Sequence, residues 1–460
     1  MIEQQTDDDP KLSEKQSSKT KTRLKKLGVE RVYYRRPTTH AIMVARINGN
    51  VSEIALQKSL QNLQWKHLLL SCSIQIDSEQ VAWFEFDSTL EPNLEVRVRS
   101  SDDDWLAVMA EEHTFLFDLE KGPLIRYILL WSKDKSDLVI NCHHSICDGT
   151  SLYTLIEDIM ECLEGKVVRE TIDAPPISEL VPPDRRKVGL IRKLVIGLLN
   201  RIWSRNEHLF SDQDFEKLHR VYWDTNQPLV RSYILDEKEV KKLVTKCHEY
   251  DVTVHTAICT AFVKAQAEIQ GTKEDFRKYT HMPVNLRERL TGQIDKAFGF
   301  YATAIIAELE LEPNLTFWDS ASRLHGIIRA CLDNDAQLFR LFQMGILHPT
   351  LLDSTYFTRF NLFKNKISRI VANSMGLDGL IAGIAITNLG KKTLEKKYGQ
   401  LELESIFGPS VYTDIIEKVI SVITLNGCMY ITVTFDKNQV EEKVVELVTG
   451  KALSFLREEI

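Results

Sequence analysis

No C-x-x-C pair and no regular spacing links the eight cysteines, at 72, 142, 147, 162, 247, 259, 331 and 428, so the usual signatures of a zinc site or a disulfide ladder are missing. They read as buried thiols in a reducing compartment. No stretch reaches about 18 consecutive apolar residues, so no segment is expected to span a membrane. Residues 1–28 lack the apolar core of a signal peptide. With Asp7-Asp8-Asp9 and a Lys/Ser/Thr-rich run ending in Arg23-Leu24-Lys25-Lys26, they read as a disordered tail, and the protein as cytoplasmic. An excess of positive charge is also missing: the formal net charge of -7 argues against a dedicated nucleic-acid binder. There is no G-x-S-x-G nucleophile elbow, and hence no sign of a serine acyl-enzyme.

What the chain does have is length and an ordinary globular composition. Its 460 residues, 43% apolar and 27% charged, can build two domains with large cores. From 29 to 170, short β-like runs alternate with helical ones: VARIN, the Asn48-Gly49-Asn50 turn, then Ile54, Leu56, Leu60 and Leu63 at helical spacing. VAWFEF, LEVRVRS and LIRYILLW follow as strands. Leu152, Leu155, Ile156, Ile159 and Leu163 mark a helix that Gly165 can close. Residues 171–225, broken by Pro175-Pro176 and Pro182-Pro183, read as a linker or crossover. Within it, the basic and apolar stretch Arg185 to Arg205 is expected as a helix packed between lobes, with peripheral contact to an anionic membrane as the alternative. A second mixed α/β block runs from 226 to 460. The chain is therefore read as α/β with two lobes and a ligand cleft between them.

The stretch NCHHSICDGT, Asn141 to Thr150, stands directly after the apolar run Leu138-Val139-Ile140. Adjacent residues of a strand face opposite sides, so His143 and His144 cannot share a pocket, and a zinc site would need three or four convergent ligands. No metal is expected. His144 shares a face with Leu138, Ile140 and Cys142 and precedes the positive N-terminus of the next helix, which disfavours imidazolium and keeps the ring neutral, as a general base requires. Asp148 can cap that helix, and Gly149 permits either an unusual backbone angle or a close approach.

HHSICDG resembles the HHxxxDG signature of the condensation-domain and chloramphenicol-acetyltransferase-like acyltransferases, and the chain looks closest to their alcohol acetyltransferases and polyketide-associated acyltransferases. HMPVNLRERL, His281 to Leu290, is similar to the superfamily's P-V-N-x-R strand, which implies that Arg287 pairs with Asp148 and fixes the loop holding His144. KAFGFYATAI resembles a segment that usually reads F-G-N, with Phe300 where the Asn is common. AITNLG, Ala385 to Gly390, is similar to the S-N-L-G strand of alcohol acetyltransferases, with Thr387 in place of Ser. The D-F-G-W-G motif of plant BAHD enzymes is missing. Trp65-Lys66-His67-Leu68 matches the first lobe's R-H-P segment only loosely, and His67 is given no chemistry.

The resemblance implies two chloramphenicol-acetyltransferase-like lobes, each a mixed sheet flanked by helices, with the active site in the channel between them. It implies an acyltransferase in which His144 takes the proton of an acceptor hydroxyl as it attacks a thioester, without an acyl-enzyme. The donor is acyl-CoA or an acyl-carrier protein, with no permanently bound cofactor. Amide formation by a free-standing condensation enzyme and an inactive binding scaffold are the alternatives. His143, Asp148, Gly149 and Arg287 are read as supports. Asn388 and Thr387 are either contacts to substrate or a buried strand end that satisfies nearby backbone. A monomer is the default. Two lookalikes fall away: GIAITNLGKKT has Ala385 and Lys392 where a phosphate loop needs Gly and Ser or Thr, and Asp102-Asp103-Asp104 reads as a solvated turn.

Overall fold

The computed structural model describes residues 21–460 apart from 186, 187, 272, 313, 341, 343 and 344. Two six-stranded mixed sheets dominate it. The first runs in the order Lys397–Tyr398, Leu401–Val411, His40–Asn48, Lys135–His143, Ile125–Trp131 and Asn93–Val98. The second runs Ala302–Glu308, Tyr279–Asn285, Ala382–Lys392, Ile416–Leu425, Cys428–Asp436 and Pro228–Leu235. Each sheet anchors its own core, one around Ile42, Val44, Ile128 and Val139, the other around Ile258, Ile386, Ile420 and Ile431. Helices cover the sheets, giving the expected two-lobed α/β architecture.

Local signals produce most elements where the sequence places them. The strand His40–Asn48 turns at Gly49, whose φ of 104° belongs to the left-handed region, and the helix Glu53–Lys66 follows with Ser52 as its cap. The helix Gly149–Glu164 ends at Gly165, also left-handed at φ 104°, and buries Leu152, Leu155, Ile156 and Ile159.

Three boundaries differ from the expectation. Lys21–Lys26 is a strand paired antiparallel with Ala82–Asp87, so the tail is structured from residue 21 onward; the acidic triplet lies outside the described residues. Lys25 reaches Glu30 and the ring of Phe84, contacts that charge composition does not reveal. The C-terminal lobe is also not the whole of 226–460. Leu401–Val411 leaves it to pair with His40–Asn48, and it stays tied to its own half through Gly408 N–H donating to Thr432 Oγ1 at 3.0 Å. Residues 171–225 contain the helices Ile177–Leu180, Leu190–Trp203 and Asp212–Trp223. The helix Leu190–Trp203 does not pack between lobes: Trp203 and Leu199 join Leu347, Leu351, Phe363 and Val371, all from the C-terminal half.

Candidate active site

The strand Lys135–His143 is buried along its length because its neighbours on both edges and the helices above leave no face to solvent. Its end sets the two histidines apart. His143 lines a cavity of about 350 Å³ together with His40, Phe117 and Thr39, and its Nδ1 lies 2.7 Å from Ser145 Oγ. His144 lines a different cavity of about 850 Å³, with walls from both lobes. The strand stops at His143 and His144 is the first residue of the turn that follows, so the pair is separated by the chain's turn at the strand end rather than by alternation within a strand reaching His144.

The imidazole of His144 is held by its far nitrogen. Nδ1 lies 2.8 Å from the carbonyl of Cys147, an acceptor, so Nδ1 carries the hydrogen and Nε2 the lone pair. Among the described residues Nε2 has no hydrogen-bond partner. The ring of Tyr33 stacks on it, with centroids 4.6 Å apart and planes at 26°, and Phe300 meets it edge-on at 5.4 Å. Burial in this aromatic setting pushes the His144 pKa below the ordinary imidazole value, against the opposing pull of the Cys147 carbonyl and the Asp148 charge. The ring is neutral at neutral pH.

Behind it sits a buried polar knot. Asp148 Oδ1 accepts from Ser151 N–H at 2.8 Å, capping the helix Gly149–Glu164. Oδ2 accepts from Arg287 Nη1 at 2.8 Å and from Tyr301 N–H at 2.9 Å. Arg287 Nη2 donates to Ser151 Oγ at 2.9 Å and to the Ala297 carbonyl at 3.2 Å, and Asn285 Oδ1 accepts from the Arg287 N–H at 3.1 Å. Burial pushes the Asp148 pKa up, but the Arg287 guanidinium and the N–H donors outweigh it and hold the carboxyl below its ordinary value. The knot ties the strand Tyr279–Asn285 region of one lobe to the helix start of the other.

Gly149 serves a close approach rather than an unusual backbone angle. A Cβ there would lie 2.9 Å from Pro409 Cγ and 3.0 Å from Leu389 Cδ2. Those neighbours belong to the strands Leu401–Val411 and Ala382–Lys392, so the helix start is clamped against segments from the C-terminal half.

Thr387 and Asn388 line the cavity that contains His144. Asn388 Oδ1 accepts from Gly390 N–H at 2.8 Å, which identifies that atom as the oxygen and leaves the NH2 as the free end. The segment is a strand in the middle of a sheet, parallel to Ile416–Leu425, not a phosphate loop. Lys392, considered in the sequence only as a mismatch, also lines the cavity, its Nζ 4.9 Å from the centre of the Tyr153 ring. Burial and the nearby Arg287 lower its pKa.

Sequence reasoning missed Tyr33, Ser151 and Lys392. Tyr33 stands just beyond the presumed tail and carries no motif. Ser151 lies one residue past Thr150 and could have been flagged as a polar residue facing the core of an otherwise apolar helix. Phe300, where a polar residue is common, forms an apolar wall against Tyr33 and His144.

Residues 37–179 match the family model described as Condensation domain. The phosphinothricin tripeptide synthetase PhsC of Streptomyces viridochromogenes is 23% identical over 336 residues, 70% of this chain but 30% of that protein, so the chain spans under a third of that relative's length. Two solved structures share the fold nearly end to end. The trichothecene 15-O-acetyltransferase of Fusarium sporotrichioides superposes with a TM-score of 0.64 at 12% identity, over 95% of each chain. The epimerization domain from the third module of tyrocidine synthetase B does so with a TM-score of 0.63 at 13% identity, over 96% of each. The condensation-domain match over residues 37–179 and the shared fold bear out the resemblance read from HHSICDG.

Proposed function

We propose that this chain, whose residues 37–179 carry the condensation-domain match, is a transferase that moves an acyl group from a thioester to an acceptor hydroxyl. Fold does not choose among acyl transfer, condensation and epimerization, so the proposal rests on the site. The observation that carries it is a neutral His144 whose Nδ1–H is fixed by the Cys147 carbonyl and whose Nε2, unpaired among the described residues, belongs to a ring lining a cavity of about 850 Å³.

A thioester needs little more than such a base, because thiolate is a good leaving group. Nε2 takes the acceptor proton as the acceptor oxygen bonds to the thioester carbonyl carbon. The C–S bond then breaks and the proton passes from Nε2 to the departing sulfur, so no acyl-enzyme forms. The free amide NH2 of Asn388, the hydroxyl of Thr387 and the N-terminus of the helix Gly149–Glu164 are the donors for the developing oxyanion or the pantetheine arm. His143, Asp148, Gly149 and Arg287 act by holding His144 in place. The donor is coenzyme A or the phosphopantetheine of a carrier protein.

Amide formation is the second reading, favoured by the likeness to a tripeptide synthetase. Thiol release from a panel of acyl-CoAs with alcohols and amines, for wild type and His144→Ala, tests both. Release with an alcohol that disappears in the variant supports O-acyl transfer. Release only with amines, or only from acyl-carrier protein, favours condensation.

A further inference from the structure

The helix Leu190–Trp203 has its apolar stripe on the wrong side for a soluble protein. Leu190, Ile191, Leu194, Leu198 and Ile202 recur at helical spacing on one face, and that face points to solvent, with Ile191 79% exposed, Leu190 74% and Leu194 66%. The opposite face holds the helix in place. Ile196 and Trp203 are buried, Trp203 Nε1 donates to Thr350 Oγ1 at 2.9 Å, and Asn200 bonds the Ile346 carbonyl and the His348 N–H, each at 2.9 Å. A helix anchored this way presents a contiguous apolar surface that a monomeric soluble protein rarely leaves bare.

Its charges say what covers that surface. Besides Arg192, which lines the cavity, the helix carries the exposed Lys193 and Arg201 and no Asp or Glu, and among the described residues neither of these two is in an ion pair. A second copy packed helix on helix would bring these cations together, which disfavours self-association through this face. An anionic lipid surface satisfies both features, taking the apolar side chains into the acyl boundary and the cations at the headgroups.

We propose that the helix Leu190–Trp203 docks the protein on an anionic lipid bilayer through Leu190, Ile191, Leu194, Leu198 and Ile202. The same helix lends Arg192, Val195, Ile196 and Leu199 to the wall of the cavity containing His144, so docking sets that cavity beside the lipid. The inference stands independently of the reaction proposed above.

The test is flotation of the full chain with phosphatidylcholine vesicles and with vesicles that also contain phosphatidylglycerol, at low and high salt. The triple variant Ile191→Glu, Leu194→Glu, Leu198→Glu changes only side chains that face solvent, and its thermal unfolding is compared with wild type. Binding to the anionic vesicles that weakens with salt, and that falls roughly tenfold or more in the variant, is the expected result. Lys193→Glu with Arg201→Glu gives a parallel loss and serves should the triple variant fail to fold. Failure of wild type to float with anionic vesicles, or equal flotation of folded variants, overturns the proposal. So does a dimer seen by light scattering that the triple variant dissolves without any vesicle binding.

Discussion

The rings of Tyr33 and His144 lie 4.6 Å apart at 26°, so a residue outside the HHSICDG stretch packs on one face of the imidazole. A base works in its neutral form, so activity is lost as pH falls through the pKa of His144. Because burial lowers that pKa, the acid limb of kcat/KM is expected below the ordinary imidazole range. Tyr33→Ala admits water, raises the pKa and moves the limb to higher pH, while Tyr33→Phe keeps both stack and limb. A pH–rate profile of the three proteins checks this, and an unmoved limb in Tyr33→Ala would show that the stack does not set the titration.

Removing the imidazole should remove the chemistry and little else. His144→Ala is expected to lower kcat/KM by about 10²–10⁴-fold with an unchanged circular dichroism spectrum. His143→Ala should act differently, since His143 lines the other cavity: a modest loss of stability through its bond to Ser145, measured by thermal unfolding.

Arg287→Met leaves Asp148 as a buried carboxylate without its cation. A loss of about 3–5 kcal/mol is expected by urea denaturation at neutral pH. The sign with pH follows from the lowered Asp148 pKa: the pair stabilises fully above the ordinary Asp value of 3.8 and ceases to as pH falls through the lower folded value. In the variant that dependence disappears or reverses, so the gap between the two proteins narrows in acid.

Gly149→Ala meets Pro409 Cγ at 2.9 Å, a ring atom that cannot swing away. A destabilisation of about 1–3 kcal/mol is expected, together with reduced activity because the helix start shifts beside His144. If Ala at 149 proves neutral in both unfolding and turnover, the clamp between the helix and the Leu401–Val411 strand is looser than the structure shows.

Much of this was legible before any coordinates. The Asp148 cap, the Gly49 and Gly165 turns, and the helix Gly149–Glu164 follow from local chemistry, since a cap, a left-handed turn and a 3.6-residue stripe each need only neighbours in sequence. That His143 and His144 face different cavities was expected from strand alternation, but His144 lies in the turn past the strand end, and the turn sets its direction. Arg287 and Asn388 were found through resemblance, because nothing in their local spacing says what they meet in the fold, and Asn285, which accepts from the Arg287 N–H, was not singled out at all.

The chain's own order therefore determined the elements, the neutral base candidate and the absence of a catalytic serine motif. Tertiary structure alone decided that Leu401–Val411 crosses to the first sheet, that Tyr33 covers His144, that Gly149 is needed for contact rather than for φ, and that the apolar stripe of Leu190–Trp203 faces outward. Periodicity records which residues share a face. Which partner that face meets depends on packing between segments far apart in the chain, and on the free energy of the whole arrangement rather than of any one stretch.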